Sequence, residues 1–303
     1  MAISRSQLVK ELEPGLNALF GLEYKRYENQ HAEIYNEESS DRAFEEEVML
    51  SGFANAQVKG EGSGVSFDEA QETYTARYTH ETVALAFAIT EEAIEDNLYD
   101  RLASRYTKAL ARSMSNAKQV KSVEPLINGL PTTDAFDSGD GVSLFNTAHP
   151  TVAGSFANTL ATQADLNETS LEQSLIDIAA MTDERGLRIA ARGLKMIIPS
   201  ELQFTAERLM KSQGRTGTAD NDINAIVSMG MVPQGYRVNN YLTDSDAFYI
   251  LTDVPNGMKM FNRAPLTTAM EGDFDTGNVR YKARERYSFG VSDPRGIFGV
   301  EGA

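Results

Sequence analysis

The stretch that decides the fold lies near the end of the chain, 278-NVRYKARERYSFGVS-292. Arg280, Lys282, Arg284 and Arg286 occupy every second position, and Val279, Tyr281, Ala283, Tyr287, Phe289 and Val291 fill the positions between them. Alternation at period two marks a strand, because successive side chains point to opposite faces of a sheet. Glu285 is the one acid in the run, and it falls on the apolar side. A row of bases in a chain of net charge -16 implies that something acidic lies against that strand.

Working outward, 303 residues bound the chain to one or two domains, and 41% hydrophobic with 24% charged residues is the composition of a globular protein. There is no cysteine, which excludes disulfides, thiolate nucleophiles and zinc-thiolate sites. The first twenty-one residues lack the apolar run of a secretory signal, and no later stretch is apolar enough to span a bilayer, so a cytosolic origin without membrane partners is expected. Forty-four acids against twenty-eight bases disfavour adhesion to nucleic acid, since phosphate binding is dominated by positive charge.

Upstream, Leu8, Leu12, Leu16, Leu19 and Phe20 stand at helical spacing, interrupted by Pro14-Gly15, which predicts a short amphipathic helix or arm. The acids Glu37-Glu38 and Glu45-Glu46-Glu47 follow, either as a solvated face or flexible arm or as an arm lying on a basic neighbour. In 51-SGFANAQVKGEGSGVSFDEA-70 the turn GEGSG separates two short runs, which predicts a hairpin with too few large apolar residues to form a core. Such a hairpin is marginal alone, so it is either flexible or held by another chain.

Tyr74 to Ile89 reads as a strand. Thr90 then caps a helix predicted over 91–123, free of glycine and proline, with Ile94, Leu98, Leu102, Tyr106, Leu110 and Met114 on one side. Acids early and bases late suit the helix dipole, and about thirty residues at 1.5 Å each give a strut of about 45 Å. Residues 125–162 are loop with short strands. The texture then turns α/β: an amphipathic helix from Ser170, a buried strand over Leu194–Ile198, a helix restarting after Pro199, and strands over Gly235–Asn239 and Phe248–Thr252. The tail from Asn256 is β-rich.

No catalytic constellation is legible. His31, His80 and His149 lie far apart with no ligand spacing, GEGSG matches neither a nucleophile elbow nor a dinucleotide fingerprint, and no phosphate-binding loop occurs. The acids in DSGDG (137–141) and DND (220–222) lack the twelve-residue calcium pattern. No catalytic residue, cofactor or metal ligand is assigned.

In combination, "AFAITEEAIEDNLYDRL" (86–102), "LFNTAHP" (144–150), "TDERGLRIAARGLKMIIPSELQFTAERL" (182–209), "TADNDINAI" (218–226) and "GDFDTGNVRYKARERYSFGVSDPRGIFG" (272–299) resemble the major capsid proteins of tailed bacteriophages, in particular the Mu-like prophage head subunits. The resemblance implies an α+β, Hong Kong 97-like fold: an N-terminal arm (1–50), an extended loop (51–73), a peripheral domain with a spine helix (74–164), an axial domain (165–253) and a return to the peripheral sheet (254–303). It implies a non-enzymatic subunit, made in the host cytoplasm, that assembles through hexamers and pentamers into an icosahedral shell around double-stranded DNA bound without sequence preference. The implied partners are further copies, a separately encoded scaffold, since no long leader precedes the hairpin, a portal and decoration proteins; the implied location is the virion. A nanocompartment shell of the same fold around a protein cargo is the alternative, and a soluble enzyme with a carboxylate-based site is a third class.

In that frame the bases Arg280, Lys282, Arg284 and Arg286 are expected to meet acids of a neighbouring copy, either Glu45-Glu46-Glu47 or the loop's Glu61, Asp68 and Glu69 with Glu72. Pairing within the chain is the competing expectation, and exposed pairs confer docking specificity more than stability. Lys59, in the loop, is a subunit-interface candidate and the position at which a lysine crosslink of the kind known in this fold would have to form.

Overall fold

The structure, a computed structural model, describes residues 5–90, 92, 99–133, 135–214, 222–273 and 277–303. Along the chain come helix α1 (Arg5–Arg26) and strands β1 (Asn36–Ser39), β2 (Phe44–Leu50), β3 (Glu72–Thr79) and β4 (Glu81–Ile89). Helix α2 (Tyr99–Asn128) and strands β5 (His149–Thr151) and β6 (Gly154–Phe156) follow. Helix α3 (Glu168–Ala180), strand β7 (Gly193–Ile198), helices α4 (Gln203–Lys211) and α5 (Ala225–Met229), and strands β8 (Tyr236–Val238) and β9 (Phe248–Thr252) form the next part. The chain closes with β10 (Met258–Gly272), β11 (Val279–Val291) and β12 (Ile297–Val300).

The decisive stretch is β11, hydrogen-bonded antiparallel on both sides in a sheet ordered β1-β10-β11-β4. Its buried and exposed residues alternate as the sequence predicts. The apolar face is covered by α1 and α2, where Leu16 and Phe20 of α1 and Leu110, Ala111 and Met114 of α2 pack with Ile89, Tyr281 and Ala283. Helix α1 runs through Pro14 without a break. Helix α2 continues past the expected end at 123, through Pro125, to Asn128. Most of the predicted first turns of that helix, 91 and 93–98, lie outside the described residues.

A second sheet, ordered β12-β9-β7-β8, is packed by α3, α4 and α5 through Leu171, Leu175, Ile178, Leu209 and Ile226 against Met196, Ile198, Phe248, Ile250 and Phe298. Helix α3 starts at Asn167 because its side chain accepts from the Ser170 N–H while the Ser170 hydroxyl takes the Asn167 N–H, a reciprocal cap. The two sheets share a core in which Leu126, Phe145, Tyr249, Met260 and Ile297 are fully buried. At this joint the backbones of Gly257 and Gly296 cross so closely that a Cβ on Gly296 would lie 2.3 Å from the Gly257 Cα.

Three expectations are corrected. Tyr74 to Ile89 is two strands, not one: the chain breaks at His80, which is buried between Ser40 and Ser288, and β3 joins β2 while β4 joins β11. The hairpin ladder predicted inside 51–70 is instead formed by the flanking β2 and β3, in register from Phe44↔Thr79 to Leu50↔Glu72. The end of the chain serves both sheets: β10 and β11 enter the first, but β12 pairs with β9 in the second. Every residue of β12 is buried, so that strand requires a sheet covered on both faces.

Candidate functional site

The first candidate surface is the open face of β11. Arg280, Lys282 and Arg284 are exposed there and Arg286 is partly buried. Across the ladder they stand between small side chains, Lys282 between Ala269 and Ala86, and Arg284 between Thr267 and Ala84. Arg280 is paired with Asp273 at 2.5 Å; Lys282, Arg284 and Arg286 have no ion pair with any described residue. Lys282, Arg284 and Arg286 therefore stand as a cationic stripe between small side chains, with acids, among the described residues, only at its Arg280 end, where Glu271 lies across the ladder and Asp273 pairs with Arg280. On the other face Glu285 is buried, 3.7 Å from Lys118 and 3.5 Å from the Tyr24 hydroxyl. Burial raises its pKa, against the pull of Lys118 and of Tyr24. The acid on the apolar side thus joins α1, α2 and β11.

The acidic arm is not free. Glu45 accepts from the Ser40 hydroxyl at 2.7 Å, Glu46 lies 3.7 Å from Arg77, and Glu47 pairs with buried Lys259 at 2.5 Å, beside Glu38 at 3.2 Å. The reading of Glu45-Glu46-Glu47 as a flexible arm is therefore corrected to β2, a strand whose exposed and half-buried positions alternate. Its carboxylates are occupied within their own subunit.

The second surface is the loop between β2 and β3. Its neck is closed by the Ser51 N–H donating to the Gln71 carbonyl (2.9 Å) and the Gln71 N–H donating to the Ser51 hydroxyl (3.0 Å). Beyond the neck all residues from 52 to 70 are exposed. Val58 and Phe67 are 101% and 98% exposed, with Phe53 and Val65 also largely open. Lys59, Glu61 and Glu69 are exposed too. Asp68 accepts from the N–H groups of Ala54 (2.6 Å) and Glu69 (3.0 Å), which hold its carboxyl below the usual range. Among the described residues no loop acid pairs with the basic stripe: Asp68 lies near Arg185, Arg280 near Asp273.

The histidines hold the structure together. His31 stacks its edge on Phe289 and binds Gln119 and Glu37; His80 bridges two serines; His149, fully buried on Phe156, bridges Asp140 and Asn158. The Asp137 carboxylate of the DSGDG turn accepts from the N–H groups of Gly139 and Gly141. Among the described residues no group of acids and histidines is placed to hold a metal ion. The DND motif lies partly outside them. Sequence reasoning missed the glycine crossing at 257 and 296, the buried ion cluster of Arg295 with Glu184 and Asp293, and the turn at 183–187; only the long-range fold brings those residues together.

Residues 73–300 match the profile of a family described as phage capsid protein. The chain belongs to the phage capsid protein family. It is a structural subunit of a capsid shell, a component of the virion, and not an enzyme. The solved structures agree on the fold, which is the α+β, Hong Kong 97-like capsid fold. A virus-like particle from Pyrococcus furiosus matches with TM-score 0.52 at 11% identity, over 94% of this chain and 98% of that one. The capsid of Myoviridae phage XM1 matches with TM-score 0.52 at 13% identity, over 89% of each chain. The capsid of an empty GTA particle matches with TM-score 0.52 at 14% identity, over 90% and 89%. No curated protein matches the sequence. For a capsid subunit, many copies of the same chain are the partners, and the exposed loop and cationic stripe are surfaces to be read in that setting.

Proposed function

We propose that this capsid subunit is the major head protein of a Mu-like tailed phage, that copies associate through hexamers and pentamers, and that the closed icosahedral shell encloses double-stranded genomic DNA. One observation carries the reading: a loop of about twenty residues with Val58 and Phe67 fully exposed and no core of its own. Apolar side chains held clear of their own subunit mark a surface that another chain covers. In this scheme residues 51–73 are the extended loop, 74–164 and the long strands of 254–303 the peripheral domain, and 165–253 the axial domain. Glu61, Asp68 and Glu69 of one loop meet Lys282, Arg284 and Arg286 of the next copy, with Lys59 beside them. Charge complementarity of this kind sets register and partner choice.

A net charge of -16 suits a container whose inner wall must let DNA slide, since basic walls would hold it by counterion release. Scaffold, portal and decoration proteins are separate chains, and synthesis takes place in the host cytoplasm. A second reading, a shell around a protein cargo, draws support from the likeness to the virus-like particle, which extends over 94% of the chain.

Negative-stain microscopy of the purified protein, with light scattering alongside, tests the main reading: uniform shells or capsomer rings are expected, and a monodisperse monomer that scaffold does not convert to shells refutes it. The nucleic-acid content of native particles separates the two contents. The double charge reversal R284E/R286E should leave the melting temperature unchanged and abolish regular shells; normal shells from that variant would remove the stripe from the interface. A single monomer band on a denaturing gel of shells is expected, and a ladder that K59Q abolishes would place Lys59 in a crosslink.

A further inference from the structure

The segment Asp183-Glu184-Arg185-Gly186-Leu187 belongs to neither apolar core, yet its conformation is over-determined. The Asp183 carboxylate accepts from the N–H groups of Arg185 (2.9 Å) and Leu187 (2.7 Å), and the Asp183 N–H donates to the Leu187 carbonyl (2.8 Å). Gly186 takes φ +79°, a conformation open to glycine at no steric cost. Glu184 is buried and accepts from Arg295 Nη2 at 2.6 Å, and its carbonyl accepts from the Ala153 N–H at 3.1 Å. So rigid a turn leaves one long side chain directed at the loop, that of Arg185. Its Nη2 donates to the Glu69 carbonyl and lies 3.9 Å from Asp68 Oδ1. Among the described residues this is the only hydrogen bond or ion pair that reaches from the body of the subunit to the loop beyond its neck. Because Asp68 also binds the Ala54 N–H at 2.6 Å, a grip on one limb holds both.

We infer that Arg185 is the positioning residue of the extended loop: from the rigid 183–187 turn it sets the direction in which the loop leaves the subunit, and hence the geometry at which the loop meets a second copy. The inference rests on the reading that the loop docks on a neighbouring copy. A loop hinged only at its neck spreads its tip over many directions and loses that orientational entropy on docking; a pre-set loop has already lost it.

The test uses full-length dissociated subunits and their assembly. R185Q keeps the side-chain stem and removes the charge. It should melt with wild type, be cut faster by trypsin after Lys59, assemble at a critical concentration raised about tenfold, the scale of one charge-assisted hydrogen bond, and give particles of mixed size. R185K should restore assembly in part. Unchanged cleavage, or wild-type shells and critical concentration despite faster cleavage, overturns the inference. Amide exchange of the wild-type subunit gives a variant-free check, with residues 53–55 and 68–70 slower than 58–64; uniformly fast exchange means that no grip exists. A variant with 53–69 replaced by a short glycine turn separates the two levels. If it assembles normally, the docking reading fails. If it cannot assemble while R185Q behaves as wild type, docking stands and the role of Arg185 falls.

Discussion

The joint between the sheets and the extended loop are opposite solutions within one chain. At the joint Gly257 and Gly296 touch backbone to backbone, and buried Arg295 is bonded to Glu184 (2.6 Å), Asp293 (3.2 Å) and the Thr182 carbonyl (2.7 Å) with its guanidinium over Phe156. In the loop Phe53, Val58, Val65 and Phe67 are held in solvent, and the backbone beyond the neck forms no ladder. The joint is closed within the chain, whereas the loop, on the docking reading proposed above, is completed only by a second copy. On that reading, stability of the subunit and association of subunits are written in different residues, and substitutions can separate them.

The largest loss of subunit stability is expected at Arg295. Arg295→Met leaves the Glu184 and Asp293 carboxylates buried and uncompensated, and breaking one side of a buried pair costs about 3–5 kcal/mol. Burial already pushes the pKa of Asp293 up, with Arg295 pulling it back. Urea denaturation should give this loss; a variant within 1 kcal/mol of wild type, a margin of roughly surface-substitution size, would mean that the cluster is locally hydrated. Next comes Gly296→Ala, whose added carbon must push aside backbone and not a flexible side chain. Overpacking of this kind costs about 1–3 kcal/mol, and it should separate β12 from the first sheet's core, seen as a lowered Tm and lost protection of Tyr249–Leu251 amides.

Acid should loosen the same body to a smaller degree. Burial, reinforced by Lys118 and opposed by Glu37, lowers the pKa of His31 below its ordinary 6.5, and burial with Arg286 does the same for His80. Below pH 6.5 the unfolded chain then binds protons that the folded chain refuses, so stability falls as pH drops through 6.5 toward the lowered folded values. Glu285 and Asp293 work in the opposite sense: their raised pKa values mean that the cost of their charged forms is relieved as pH falls through those values. The comparison that isolates the histidines is wild type against H31Q/H80Q, and wild type should lose stability relative to the variant as pH drops from about 7.5 to about 5.5. A constant gap would show that the two rings do not titrate differently on folding.

What was legible beforehand follows the same division. The alternation in 279–291 gave the register of the central strand, including Glu285 on the inner side, because period two is a local property. The long helix was legible from its uninterrupted spacing, but Pro125 was read as a boundary and is instead inside α2. The ladder of β2 was concealed because FEEEVML carries its acids on both faces, and half-buried Glu47 is paired by Lys259, more than two hundred residues away. Nothing local in IFGV says which sheet it enters; that choice depends on the crossing of Gly257 and Gly296. For the loop only the missing core was legible, since what it lacks is visible in its composition; the ladder expected inside 51–70 lies instead in the flanking β2 and β3.

The smallest effect on the subunit should come with the largest on the shell. Val58 and Phe67 touch so little of their own chain that V58S/F67S should change the unfolding free energy by no more than about 0.5 kcal/mol, the range of surface substitutions. In an interface each side chain would be buried, and losing a fully buried valine or phenylalanine costs about 1.5–3 kcal/mol at every repeated contact. Closed shells multiply such contacts, so a modest loss per subunit shifts the concentration at which shells form by more than tenfold. Light scattering against concentration, with denaturation curves of the same preparations, measures both quantities. An unchanged curve with lost assembly sharpens the division between joint and loop; lost assembly with an equal loss of subunit stability would erase it, because the loop would then belong to the core from which its exposure separates it.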